Sequence, residues 1–209
     1  MRGDHTSPGR LRRPLKAVAF CLSWALVAPL VVAVWLEKRL TSSEVLFTGC
    51  AQLLALCPGF PGRCLRGAYY FGTLAQCSWE THIGFGSVFT HREAVVNPLV
   101  SMGVYCVIGH AYIEQGVRMG SRVSVPSGKR QHVDDNGRLA PVTRFERVAI
   151  GRESWIGEGA IILARVGERC IISAGAVVTK EVPSGSLAAG NPARVVREVE
   201  AAEAPSAQG

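Results

Sequence analysis

Three arrangements of apolar positions divide this chain. From Ala17 to Leu36, twenty residues run without a charge; Arg10, Arg12, Arg13 and Lys16 precede them, and Glu37, Lys38 and Arg39 follow. A helix of that length rises about 30 Å, the thickness of one hydrocarbon core, so the run predicts a membrane helix. A second apolar stretch, Val45 to Cys57, is too short to span comfortably and predicts an interfacial or re-entrant helix. Further along, the period becomes six. Val96, Met102 and Ile108 are six apart, as are Ile113, Met119 and Val125, then Ile150, Ile156 and Ile162, then Ile172 and Val178. Neither a helix nor an ordinary strand repeats every six residues. A coil of short flat strands does, one hexad to a face with the aliphatic residue inward, and this repeat marks a parallel β-helix. The glycine after many aliphatics, as in Ile150-Gly151 and Ile156-Gly157, is expected where the chain turns a corner. A sandwich of short strands would show the period-two alternation that is missing here.

These patterns predict a basic tail over 1–16 and a hydrophobic anchor of one or two helices over 17–57. A connector over 58–82 leads to a β-helix over 83–199, interrupted by a polar loop at 126–147. The small polar residues of 200–209 predict a disordered tail. Arg63, Arg66, Tyr69, Tyr70 and Trp79 make the connector basic and aromatic, suited either to the lipid interface or to packing against the first coil. The positive charge ahead of the apolar run favours an inside N-terminus, and a single span would then carry the β-helix outside. Pro29 in mid-run and the short second stretch instead predict a hairpin or in-plane anchor, with the β-helix on the cytoplasmic face of the inner membrane. A cleaved signal peptide fits less well, since the apolar core is long and no small-x-small site precedes Glu37.

Composition changes this picture little. The formal charge is +7 and the pI about 9.3, but the basic residues are scattered and not interleaved with aromatics, which argues against nucleic acid as a partner. The N-terminal cluster suits a membrane-adjacent flank. Seven cysteines, an odd count without Cys-x-x-Cys, suit a reducing compartment with thiols as small hydrophobes. A local Cys57–Cys64 bridge is compatible with the spacing and not required by it.

Three segments carry a resemblance: Ile150-Gly-Arg-Glu-Ser-Trp-Ile-Gly-Glu-Gly159, Ala174-Gly-Ala-Val-Val-Thr-Lys180 and Gly190-Asn-Pro-Ala-Arg194. Over roughly 83–199 the chain resembles the hexapeptide-repeat acyltransferases, in particular O-acetyltransferases. The resemblance implies a mainly β fold: a left-handed parallel β-helix, here with an N-terminal membrane-associated helical segment, closed by a short C-terminal helix. It implies acetyl-CoA as cosubstrate with no metal, a homotrimer, and direct acyl transfer to a hydroxyl of a sugar or lipid-linked saccharide.

In such enzymes a histidine of the extruded loop is the general base, a task that suits a side chain with an ordinary pKa near 6.5. His132 is the only histidine of 126–147 and is the first candidate; His110, after Ile108-Gly109, is the second. Many relatives place the base directly after a Thr/Ser-Gly pair, where this chain has Lys129 after Ser127-Gly128. Asp134, Asp135, Glu153 and Glu158 are the carboxylates considered for orienting the imidazole; His82 and His91 read as structural or surface residues, and Trp155 as coil packing. The resemblance further implies Ser173, Ala174 and Gly175 along the pantetheine arm, with Thr179, Lys180 and Arg194 near the phosphates. Two alternatives stand beside this reading. One is a non-catalytic scaffold. The other is a zinc enzyme of the carbonic anhydrase kind drawing on His82, His91, His110 and His132, whose spacing departs from that family.

Overall fold

The computed structural model describes residues 12–128, 131–132, 138–141 and 143–199. Helix α1 runs Arg12–Leu40, α2 Val45–Ala55 and α3 Gly59–Thr73. The coil then begins at Gln76, earlier than the hexad spacing indicated, and most of the expected connector is the helix α3. The helix α1 continues through Pro29.

The coil has three faces. On the first lie Gln76–Cys77, Val95–Val96, Ala111–Ile113 and Val148–Ile150, extended by bridges at Val166 and Val182. On the second lie His82–Ile83, Ser101–Met102, Arg118–Met119, Trp155–Ile156, Ile171–Ile172 and Ser186–Gly190. On the third lie Val88–Phe89, Val107–Ile108, Ser124–Val125, Ile161–Ile162 and Val177–Val178. Pairing between successive coils is parallel and in register, as in Val95↔Tyr112, Met102↔Met119 and Ile162↔Val178. The hexad aliphatics are therefore stacked: Ile83, Ile108, Ile113, Ile150, Ile156, Ile162 and Ile172 are all fully buried. At about 25 cal/mol per Å² of apolar surface, this inner column is the main source of the coil's stability.

Glycine has two distinct uses at the corners. The glycine directly after the aliphatic is there for close approach, not for its dihedrals: a β-carbon on Gly157 would lie 2.4 Å from the Ala174 nitrogen of the next coil. The left-handed residue of the corner comes two positions later, at Gly159 (φ +67°), where a β-carbon would meet nothing within 4 Å. The same corner position is also held by Tyr105, Arg122, Glu153 and Arg169 at positive φ, which glycine would adopt at lower cost.

The helices close the open end of the coil, where an unpaired strand edge would otherwise be exposed. The Tyr70 hydroxyl accepts the Phe89 N–H at 3.1 Å, and the Gly86 N–H is donated to the Ala55 carbonyl at 3.0 Å. Arg66, 2% exposed, donates to the carbonyls of Leu54, Cys57 and Ile83, joining the end of α2 to the first coil. Against α3, α1 buries Val27, Val31 and Val34; Gly72 leaves the room for Val31, and its carbonyl accepts the Trp35 indole N–H at 2.8 Å. The opposite flank of α1 exposes Val18, Leu22, Leu26, Val32 and Leu36. Over Ala17–Leu40, α1 is long and apolar enough to cross a membrane, weak evidence by itself for membrane association.

At the other end the described residues form a strand where a C-terminal helix was expected. Ala193–Glu198 returns as an antiparallel strand on Ser186–Gly190, after a turn through Gly190 at φ +96°. The last parallel strand leaves an edge to be paired, and the β-branched Val195 and Val196 favour a strand over a helix there.

Candidate active site

The corner between the third and first faces collects the candidate chemistry. Because the coils are in register, residues 90–94, 109–110, the described residues of the loop that leaves after Val125 and rejoins at Val148, 163–165 and 179–181 follow one another up this corner. Successive coils are about 4.8 Å apart. His91 lies on the first coil, His110 on the next, the long loop on the third and Lys180 on the fifth.

His110 sits where the loop leaves and rejoins the coil. Its N–H is donated to the Ser127 hydroxyl at 2.8 Å, and its carbonyl accepts the Val148 N–H at 3.0 Å. Its Nε2 accepts the Arg147 Nε–H at 3.2 Å. Burial lowers the His110 pKa, and Arg147 and His91 lower it further, while Glu93 and Glu44 oppose them. A neutral imidazole whose Nε2 lone pair already receives a guanidinium N–H is a loop anchor and a poor proton acceptor.

Within the loop, Glu146 donates its N–H to the Ser127 carbonyl (3.0 Å), Arg144 to Gln131 (3.0 Å) and Ala140 to His132 (2.9 Å). These bonds fold the loop back on itself with His132 exposed near its middle. His132 Nδ1 lies 3.4 Å from the Thr143 hydroxyl. Lys129, Asp134 and Asp135 lie outside the described residues. Glu153 and Glu158 sit on the other two corners, and the fold does not bring them to His132 within one chain.

One cluster was not legible in the sequence. His91 Nδ1 is 3.1 Å from a Glu44 carboxylate oxygen, and its ring lies 4.3 Å from that of Phe145 in the loop. Glu44 precedes α2 but makes no capping bond there. It turns to the coil instead, accepting the Arg92 N–H at 3.1 Å and the Arg92 Nε–H at 3.0 Å. Glu37, from the last turn of α1, accepts the N–H groups of Leu46 and Phe47 in its place. Arg92, 4% exposed, also donates to the Ser43 carbonyl. Burial pushes the Glu44 carboxyl up, but the bonds from His91 and Arg92 outweigh it and bring the pKa down to about 2. His82 starts a strand of the second face, away from this corner.

The residues expected at the cosubstrate fall into two groups flanking the last strand of the third face, Val177–Val178. Ser173, Ala174 and Gly175 form the corner before it, with Gly175 at φ +67° and nothing within 4 Å of a β-carbon there. Arg194 joins this group, since it pairs with Ala189 beside Ser173, is exposed, and forms no ion pair among the described residues. Thr179 and the exposed Lys180 lie on the corner after it, in the histidine column. Between the two groups the outward positions of the third face are Val88, Val107, Ser124, Ile161 and Val177, a mostly aliphatic stripe.

Over 77 residues the chain is 40% identical to 2,3,4,5-tetrahydropyridine-2,6-dicarboxylate N-acetyltransferase of Staphylococcus aureus. The stretch covers 34% of this chain and 32% of that protein. The coil carries the hexad repeat and the closing Gly-Asn-Pro-Ala-Arg turn. Over the matched stretch the chain is similar to acetyltransferases. A maltose O-acetyltransferase from Clostridium difficile superimposes on this hexapeptide-repeat chain with a TM-score of 0.66 and 21% identity, over 74% of this chain and 86% of that one, which establishes the shared fold. No family profile matches the chain. The chain spans about a third or less of the length of the curated relatives it matches.

Proposed function

We propose that this chain is an acyl-CoA-dependent O-acyltransferase, acetyl-CoA being the donor, and that it acts at a membrane surface on a hydroxyl of a sugar or lipid-linked saccharide. The observation that carries the reading is the corner column, in which a polar loop bearing an open histidine projects from a rigid coil, with Lys180 two coils on and the Ser173–Gly175 corner across one face.

His132 is the base in this reading. The Thr143 hydroxyl steadies Nδ1, and Nε2, without a bond among the described residues, faces the acceptor in this reading. Nε2 takes the acceptor's hydroxyl proton while that oxygen bonds to the thioester carbonyl carbon. The tetrahedral adduct then collapses, the carbon–sulfur bond breaks, and the departing thiolate of CoA takes the proton from the imidazolium. Ser173, Ala174 and Gly175 line the pantetheine arm, and Thr179, Lys180 and Arg194 meet the phosphates through charge-assisted bonds. The aliphatic stripe of the third face lies between these groups. A second copy packed on it would border the histidine corner, and a homotrimer built this way places each site between subunits. A second reading of the base rests on one observation: His91 is held through Nδ1 by the Glu44 carboxylate, the arrangement that orients a catalytic imidazole.

The test is release of free thiol from acetyl-CoA with a panel of saccharide acceptors, comparing His132→Ala with His91→Ala. Loss of about 10²–10⁴ in turnover is expected for His132→Ala, the usual weight of a general base. Loss confined to His91→Ala moves the base to the Glu44-held imidazole. The membrane anchor places the domain on the cytoplasmic face in this reading, and digestion of the coil by protease added outside intact cells would refute that placement.

A further inference from the structure

A cavity of about 520 Å³ lies between the helices and the first coil, away from the histidine corner. Its walls include Phe20 of α1, Phe60 and Arg63 of α3, and Trp79, Thr81 and His82 of the first coil. A smaller hollow of about 250 Å³ begins at the same Phe20 and runs along the seam between α1 and α3 past Trp24 and Phe71, whose rings are partly exposed. One end of this system is thus hydrocarbon-like, and the other is polar.

The polar end has two unmet needs. Thr81 is 8% exposed and its Oγ1 is buried without a hydrogen-bond partner of normal geometry among the described residues; the neighbouring Cys77 thiol is directed to the Ser78 carbonyl at 3.7 Å. A buried hydroxyl in that state is destabilising until something bonds to it. Arg63 stacks over Phe60 at 5.0 Å and has no ion pair among the described residues. Burial lowers the His82 pKa, and Arg63 and Arg66 lower it further, so positive charge already prevails at this end. Glu80 is the carboxylate of the wall and disfavours a ligand with more than one negative charge.

We propose that the cavity binds a single-chain lipid phosphate carrying one negative charge, with its phosphate at Arg63 and Thr81 and its chain along Phe20, Trp24 and Phe71. Thr81 donates its hydroxyl proton to a phosphate oxygen, and the Arg63 guanidinium supplies charge-assisted bonds. The hydrocarbon leaves the pocket along the α1–α3 seam past Trp24 and Phe71, whose exposed edges a bilayer would meet. This inference rests on the membrane association of α1 proposed above.

The experiment uses the full chain in a neutral maltoside detergent, with lysophosphatidylglycerol brominated on its chain as the ligand. Bromine quenches nearby tryptophan; Trp24 and Trp79 line the two hollows, while Trp35, farther along α1, and Trp155, on the coil, line neither. Saturable quenching is expected. It should weaken about tenfold or more in Arg63→Gln, the loss of a charge-assisted bond. In Thr81→Val the affinity should fall with the chain still folded. Gly67→Leu should abolish saturable quenching: a β-carbon at Gly67 meets only the Thr81 carbonyl at 3.9 Å, and leucine is the better helix former, so the variant fills the cavity without unfolding α3. A monoacylglycerol with the same brominated chain should bind at least tenfold more weakly, and excess inorganic phosphate should not displace the lipid. Equal quenching by both lipids, unaffected by Arg63→Gln and Gly67→Leu, would overturn the pocket. Flotation of the chain with neutral phosphatidylcholine vesicles would show in that event that membrane association stands by itself.

Discussion

Gly157 and Gly159 are two residues apart and do different work. A β-carbon at Gly157 would press into the Ala174 backbone, which has no flexible end to yield; at Gly159 it has open space but a left-handed backbone. Gly157→Ala is therefore expected to cost more than about 2 kcal/mol, and Gly159→Ala about 1–2 kcal/mol. Chemical denaturation of the two variants checks the order; a larger loss at Gly159 would contradict it. The sequence shows glycine at both places but not the reason for either, because the crowding at Gly157 comes from the next coil. The same logic separates the histidines. His110→Ala removes a side chain that only Arg147 touches among its bonds and leaves the backbone bonds to Ser127 and Val148, so the coil should melt unchanged. His132→Ala should likewise leave the melt unchanged while turnover falls.

Among the elements, the helices act as a lid on the coil, and Glu44 is the pin. Its folded pKa, about 2, lies below its ordinary value of 4.5. The folded state therefore holds the proton less tightly than the unfolded one, and the stability this supplies is complete above pH 4.5 and lost as pH falls through about 2. A shift of that size corresponds to about 3 kcal/mol, on a side chain about a quarter exposed. Denaturation at pH 7 and pH 3 should show a steeper loss in the wild type than in Glu44→Gln; parallel losses would contradict the assignment. The exposed Lys38–Glu93 pair at 3.6 Å adds little beside it. Glu44 and His91 are 47 residues apart in the chain, so no local pattern announces their contact. The inward hexads were legible because each aliphatic's place in the coil follows from its spacing alone. The closing antiparallel hairpin was not, because it depends on the unpaired edge of the strand before it.

For the whole molecule, the arrangement is an apolar helix, a lid and a coil with His91, His110 and the polar loop at one corner. The loop was legible as a break in the hexad spacing, and its histidine was singled out by the family resemblance; the pinning of that loop on His110, and the carboxylate on His91, needed the stacked coils to appear. The central claim is that the corner transfers an acyl group from CoA. Its most direct test is free-thiol release from acetyl-CoA by the purified full chain with sugar and lipid-linked saccharide acceptors, beside His132→Ala. The account predicts release that depends on acceptor and falls about 10²–10⁴-fold in the variant. Binding of CoA without thiol release on any acceptor would contradict it and favour a non-catalytic scaffold.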